Sequence, residues 1–273
     1  MYQARRVFPP LLAALGVQGL RCDSTAQPGP EGLKEIVTSR VFPFSREATN
    51  LYAVQCRCMM QLCILPQARA YAYGVYTDER LQQSALRLYN KATTPSGSPP
   101  LTSGGLVKLV LDECERESSG FVASGGCLQL VLVMHRDIDG EHMAHGFHNS
   151  IEKRLKRLRG ERKLPQKGDT STDEVLSLVA AIKKLPLKAG EEVVFTWKSS
   201  EGGLDVSVGG KSVVRLLNPL VIRALFEVYV GEGAVSSYGA RSFADNVFAR
   251  AQKGSGYSSA DVSQEYARVG KLW

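Results

Sequence analysis

Short runs of β-branched, aromatic and sulfur-bearing residues, separated by turn formers, alternate along this chain with stretches whose apolar residues step at helical spacing. Residues 37–44, 51–63, 68–77, 106–111 and 128–135 have the composition and length of strands. Residues 78–91 place Leu81, Ala85 and Leu88 on one face, and residues 138–159 do the same with Phe147, Ile151, Leu155 and Leu158. That spacing predicts two amphipathic helices. Ser171 and Glu174 have the spacing of a capping box before a helix over 175–184. Strands flank Glu201-Gly202-Gly203, and Gly209-Gly210 supplies the positive-φ pair that a tight hairpin needs. Asn218-Pro219 predicts an N-cap and first-turn proline, Gly231 predicts the end of that helix, and a last helix covers 238–251. Strands outnumber helices, and the helices gather in the middle and at the end. The expected fold class is α+β, a large antiparallel β-sheet covered on one face by a layer of helices.

Composition adds bounds. The chain has 273 residues, 44% hydrophobic and 22% charged, with a formal net charge of +7. One core can serve a chain of that size. The apolar stretch over 7–20 is too short to span a bilayer and contains Pro9 and Pro10. Residues 1–22 carry Arg5, Arg6 and Arg21, no acid, and leucine and alanine between them, which is the composition of a mitochondrial transit peptide. A plain disordered tail is the competing reading. Residues 23–32 are expected as a linker, 33–251 as the folded domain and 252–273 as a C-terminal tail. Cys56, Cys58 and Cys63 crowd one strand region and Cys22, Cys114 and Cys127 are scattered, so buried free thiols are expected rather than a disulfide framework.

Four segments carry a resemblance when read in register. Arg57 lies on one apolar strand, and Tyr71-Ala72-Tyr73-Gly74-Val75-Tyr76 follows on the next. LQLVLVMHRDIDGEHM spans 128–143, EEVVFTWKSSEGGLDVSVGGKSV spans 191–213, and NPLVIRALFEVYVGEGAVS spans 218–236. Together they cover residues 37–251 and resemble chalcone isomerase and its non-catalytic relatives, among them the plant fatty-acid-binding proteins. The resemblance implies a curved sheet, a helical layer and a ligand cleft between them, with no cofactor. It also implies an intramolecular lyase or isomerase activity, for which an arginine would hold an oxyanion while a threonine and a tyrosine stabilise an enolate. Arg57 stands for that arginine. The threonine position is taken by Tyr71 and the tyrosine position by Met143, which has no proton to donate. A Thr-Met pair falls on Val228 and Tyr229, and a substrate-contacting asparagine falls on Asn149 or Ser150. The cation is kept and most of its polar partners are not.

The expectation is therefore binding without turnover. Arg57, Tyr71 and Tyr73 would grip a fatty acid or other small carboxylate, with Met143, Asn149, Ser150, Val228 and Tyr229 beside them. Arginine fits a carboxylate in bidentate fashion, and a tyrosine offers an apolar wall with a polar tip. The competing readings are an active isomerase of another substrate and a structural subunit of a mitochondrial membrane complex. Arg57 could instead pair with an acid at the core edge. His142, His145 and His148 step by three along a predicted helix and read as an exposed face rather than a metal site. Lys153, Arg154, Lys156, Arg157, Arg159, Arg162, Lys163 and Lys167 form a basic run that reads as a solvated helix end or as a surface attracted to an anionic membrane. No nucleic-acid motif accompanies it.

Overall fold

The computed structural model describes residues 26–28, 31–35, 38–47, 49–58, 69–93, 102–118, 127–162, 170–198 and 201–253. The leader over 1–22, the tail beyond 253, Cys22, Cys63, Lys163 and Lys167 lie outside these residues. Antiparallel pairing joins seven strands in the order β12-β11-β10-β7-β6-β5-β4. They are β4 (Ser45–Arg46), β5 (Thr49–Cys58), β6 (Arg69–Thr77), β7 (Cys127–Met134), β10 (Glu192–Lys198), β11 (Gly203–Val208) and β12 (Lys211–Leu216). Strand alternation sends Tyr71, Tyr73 and Val75 of β6, Leu130 and Leu132 of β7, and Phe195 and Trp197 of β10 to one side.

Helices cover that side. They are α1 (Glu79–Thr93), α2 (Ser103–Ser118), α3 (Gly140–Arg162), α4 (Ser171–Lys183), α5 (Pro219–Val230) and α6 (Ser237–Lys253). α5 is the central one, with every residue from Leu220 to Val230 buried. A helix buried on every side belongs in a core, and this one carries its two charged residues, Arg223 and Glu227, as a buried pair. Phe226 stacks on Trp197 of the sheet with ring centroids 5.6 Å apart. The helix begins as its sequence predicts, because the Asn218 side chain accepts from the Leu220 amide at 3.0 Å.

The opposite side of the sheet is not left bare. β1 (Ala26–Pro28), β2 (Gly32–Glu35) and β3 (Val41–Pro43) form a separate three-stranded sheet. Its Leu33 and Phe42 pack with Leu51, Val54, Ala72, Tyr76 and Val131 in a second apolar cluster. Gly74 makes the room, since a Cβ there would sit 2.6 Å from the Phe42 ring. Within the segment expected as a linker, residues 26–28 thus pair as a strand with β2. A two-stranded ribbon, β8 (Ile138–Asp139) with β9 (Pro186–Leu187), completes the strands.

Two sequence expectations are corrected. Residues 106–111 are not a strand but the middle of α2. The reason is that the apolar period continues past the short run: Leu106, Val107, Val110, Leu111 and Cys114 are buried at the spacing of one helix stripe. Thr102 starts the helix by accepting from the Gly105 amide at 3.1 Å. Nor do Ser171 and Glu174 form a capping box. Thr170 is the N-cap, without a side-chain hydrogen bond. The Ser171 hydroxyl receives Arg159 instead. Glu174 reaches across to accept from the Leu217 amide at 3.0 Å and the Asn218 amide at 2.8 Å, tying α4 to the start of α5. The glycine hairpin stands as expected, with φ of 55° at Gly209 and 77° at Gly210 between β11 and β12.

Candidate functional site

β5 and β6 are neighbours, and their register sets Arg57 opposite Tyr71 and Gln55 opposite Tyr73. A bulge between Leu51 and Ala53 changes the phase of β5. Leu51 therefore joins the outer cluster, whereas Arg57 faces the helix side with its cross-strand partner Tyr71. A bulge hands two consecutive residues to one side and bends the strand. The carbonyls it frees are met from α6: Asn246 donates to the Tyr52 carbonyl at 2.8 Å and Arg250 to the Leu51 carbonyl at 2.6 Å. The Arg250 guanidinium also lies 4.0 Å from the centre of the Tyr52 ring.

Where β5 and β6 meet α3 and α5 there is a cavity of about 150 Å³. The sheet contributes Arg57, Ala70 and Tyr71; α3 contributes His142, Met143, Gly146, Phe147 and Ser150; α5 and the turn after it contribute Val228, Tyr229 and Val235. Six of the residues singled out from the sequence are thereby brought together: Arg57, Tyr71, Met143, Ser150, Val228 and Tyr229. Tyr73 stands one layer behind, its ring edge-on to Tyr229 at 5.0 Å. Asn149 is exposed, outside the cavity, and bonds the His145 ring at 2.9 Å along the outer face of α3. The sequence reading missed Ala70, Ile138, Gly146, Phe147 and Val235 as lining residues, and it placed His142 only on an exposed face. Their helical spacing around Met143 and Ser150 was the signal that could have found the α3 residues.

The polar atoms of this cavity are few and specific. The Tyr71 and Tyr229 hydroxyls are 3.0 Å apart. Only one can donate to the other, so one phenolic proton of the pair is left for a third oxygen. Burial pushes both phenols above their ordinary range, with Arg57 acting the other way. Burial likewise raises Tyr73, whose enclosed hydroxyl sits beside Ser236 without a well-formed hydrogen bond. All three therefore stay protonated at physiological pH. Arg57 is half-buried, and among the described residues no carboxylate pairs with it. Behind Ser150 lies a second buried cation, Arg154, held by the carbonyls of Ser150 at 3.0 Å and Gly233 at 2.8 Å. Its guanidinium is pushed below its ordinary range, first by burial, with Arg157 and Arg57 adding repulsion. A hollow lined by Arg57 and a spare phenolic proton, with Arg154 behind it, favours an anion.

The basic run reads differently once folded, because its described arginines are engaged within the protein. Arg157 pairs with Glu227, Arg162 with Glu115 and Arg159 with Ser171. Arg223 of α5, 1% exposed, is the hub: it contacts Asp112, Glu115 at 3.0 Å and Glu227 at 3.1 Å. Burial alone would lower Arg223, but the carboxylates around it raise it instead. Burial would equally raise Glu115, yet the hydrogen bonds from Arg162 and Arg223 hold it below the usual carboxylate range. Lys153 and Lys156 are exposed, as is the paired Arg162. Among the described residues, no group of three or more His, Cys, Asp or Glu is placed to hold a metal ion, and no helix is long and apolar enough to cross a membrane.

No protein-family model and no curated protein sequence matches the chain. Among solved structures, the fatty-acid binding protein AtFAP1 of Arabidopsis thaliana is similar over 84% of this chain and 100% of its own, with a TM-score of 0.58 and 18% sequence identity. At that identity the likeness is one of fold. The α+β architecture expected from the sequence, a curled antiparallel sheet under a helical layer, is the one the two proteins share.

Proposed function

We propose that this protein binds a small apolar carboxylate, fatty acids included, between the sheet and α3, without turning it over. The observation that carries this reading is Arg57 lining the cavity with no carboxylate partner among the described residues, next to the Tyr71–Tyr229 hydroxyl pair. A bound carboxylate would take its charge-assisted hydrogen bonds from the guanidinium and its neutral one from a phenol. The shared fold of a fatty-acid binding protein supports the same ligand class. Met143, at the position where the enzymes carry a proton donor, offers the cavity a thioether instead.

Calorimetric titration of the full chain against fatty acids and arylacetic acids tests the reading. At least one acid binds saturably, and Arg57→Ala weakens it by about tenfold or more, since a hydrogen bond to a charged group contributes ~1.5–3 kcal/mol. Unchanged affinity in Arg57→Ala, or no acid bound at all, would sink it.

A further inference from the structure

From the volume of the cavity and the way its walls are held, we infer that its preferred occupant is a one-ring aryl acid rather than a long-chain fatty acid. This rests on the binding reading above and names the ligand class. A benzene ring fills a cavity of about 150 Å³, the volume found here. Sites for drug-sized ligands run from about 300 to 1,000 Å³. A long acyl chain has more than double the carbon count of a ring, so most of it would have to run out through the mouth of the cavity or move its walls.

Those walls are braced. Phe147 is backed by Phe195 of the sheet, with ring centroids 5.4 Å apart. Tyr229 is held at its tip by Tyr71 and along its edge by Tyr73. Tyr73 is itself fully buried. Enlarging the cavity on either side would break an aromatic contact or strand a buried hydroxyl, and interiors packed this way resist expansion. Phe147 and Tyr229 both line the hollow, and aromatic pairs favour offset or edge-to-face contact, which a ring can make and a chain cannot. A rigid ring also has few torsions to freeze on binding, unlike an acyl chain. One opening is provided in α3, where Gly146 lines the cavity and an added Cβ would meet nothing within 4 Å.

Three probes separate the possibilities: phenylacetate, octanoate with the same carbon count, and palmitate, each titrated into the full chain. Phenylacetate is expected to bind at least tenfold more tightly than either fatty acid. Gly146→Leu, which extends a side chain into that opening, is expected to weaken phenylacetate at least tenfold without lowering the thermal unfolding midpoint. Palmitate or octanoate binding as tightly as phenylacetate overturns the ring-sized ligand while leaving the carboxylate site standing. Gly146→Leu that folds normally and binds phenylacetate as wild type does places the ring elsewhere and overturns it too. If none of the three acids binds, the underlying reading falls with it.

Discussion

Gly146 shows how much one residue can reveal. A glycine inside a helix is about 1 kcal/mol less favourable than alanine, and α3 carries this one in its second turn with open space where the side chain would be. Gly146→Ala is therefore expected to raise stability by ~0.5–1 kcal/mol in urea unfolding; a loss of stability would mean that the space is not open. Arg57 teaches the opposite lesson. By simple alternation Leu51 and Arg57, six residues apart, share a face, yet the bulge at Tyr52 puts them on opposite sides. The residue could be named by likeness, but nothing local to β5 announced its direction. Tyr71 and Tyr73 were easier, since both lie in the regularly paired stretch of β6 and their shared face follows from the pleat. Asn149 went astray because one step along a helix turns a side chain by over a quarter of a circle. Ser150 reaches the cavity and its neighbour does not.

Among the elements, α5 was the most readable, because its N-cap, first-turn proline and apolar content agree. α2 was misread because a short aliphatic run looks alike in a buried helix and a strand. The ion-pair hub was invisible to periodicity, as Arg223, Asp112 and Glu115 come from segments far apart in the chain. It joins α5 to α2, while Arg157 and Arg162 bring in α3. Removing one member of a buried network leaves the others uncompensated, at a cost of about 3–5 kcal/mol. Arg223→Met should therefore lower unfolding stability by ~3 kcal/mol at pH 7, and the deficit should shrink near pH 4 as the stranded carboxylates take up protons. An equal deficit at both values would show that packing, not charge, is lost.

For the molecule as a whole, the buried phenols set an alkaline limit. Tyr71, Tyr73 and Tyr229 titrate above their ordinary range when folded, and burial is the leading cause in each. Below about pH 10 both folded and unfolded chains keep these protons, so the contribution is complete. Above it the unfolded chain loses them first, and stability falls by about 1.4 kcal/mol per pH unit for each such phenol. Ultraviolet titration should show these tyrosines ionising only together with loss of the fold. Ionisation near pH 10 with circular dichroism unchanged would contradict their enclosure.

The contacts that α6 makes with β5 reach further than their own neighbourhood. Asn246 and Tyr52 are 194 residues apart in sequence, yet that bond and the one from Arg250 fasten the place where the strand changes phase. A strand has only two sides, so this junction works as a binary setting, and the setting decides whether the positive charge at Arg57 looks inward or outward. Grafting the β5–β6 hairpin onto another scaffold without its distant helical clasp would transplant the right amino acids with their polarity free to reverse.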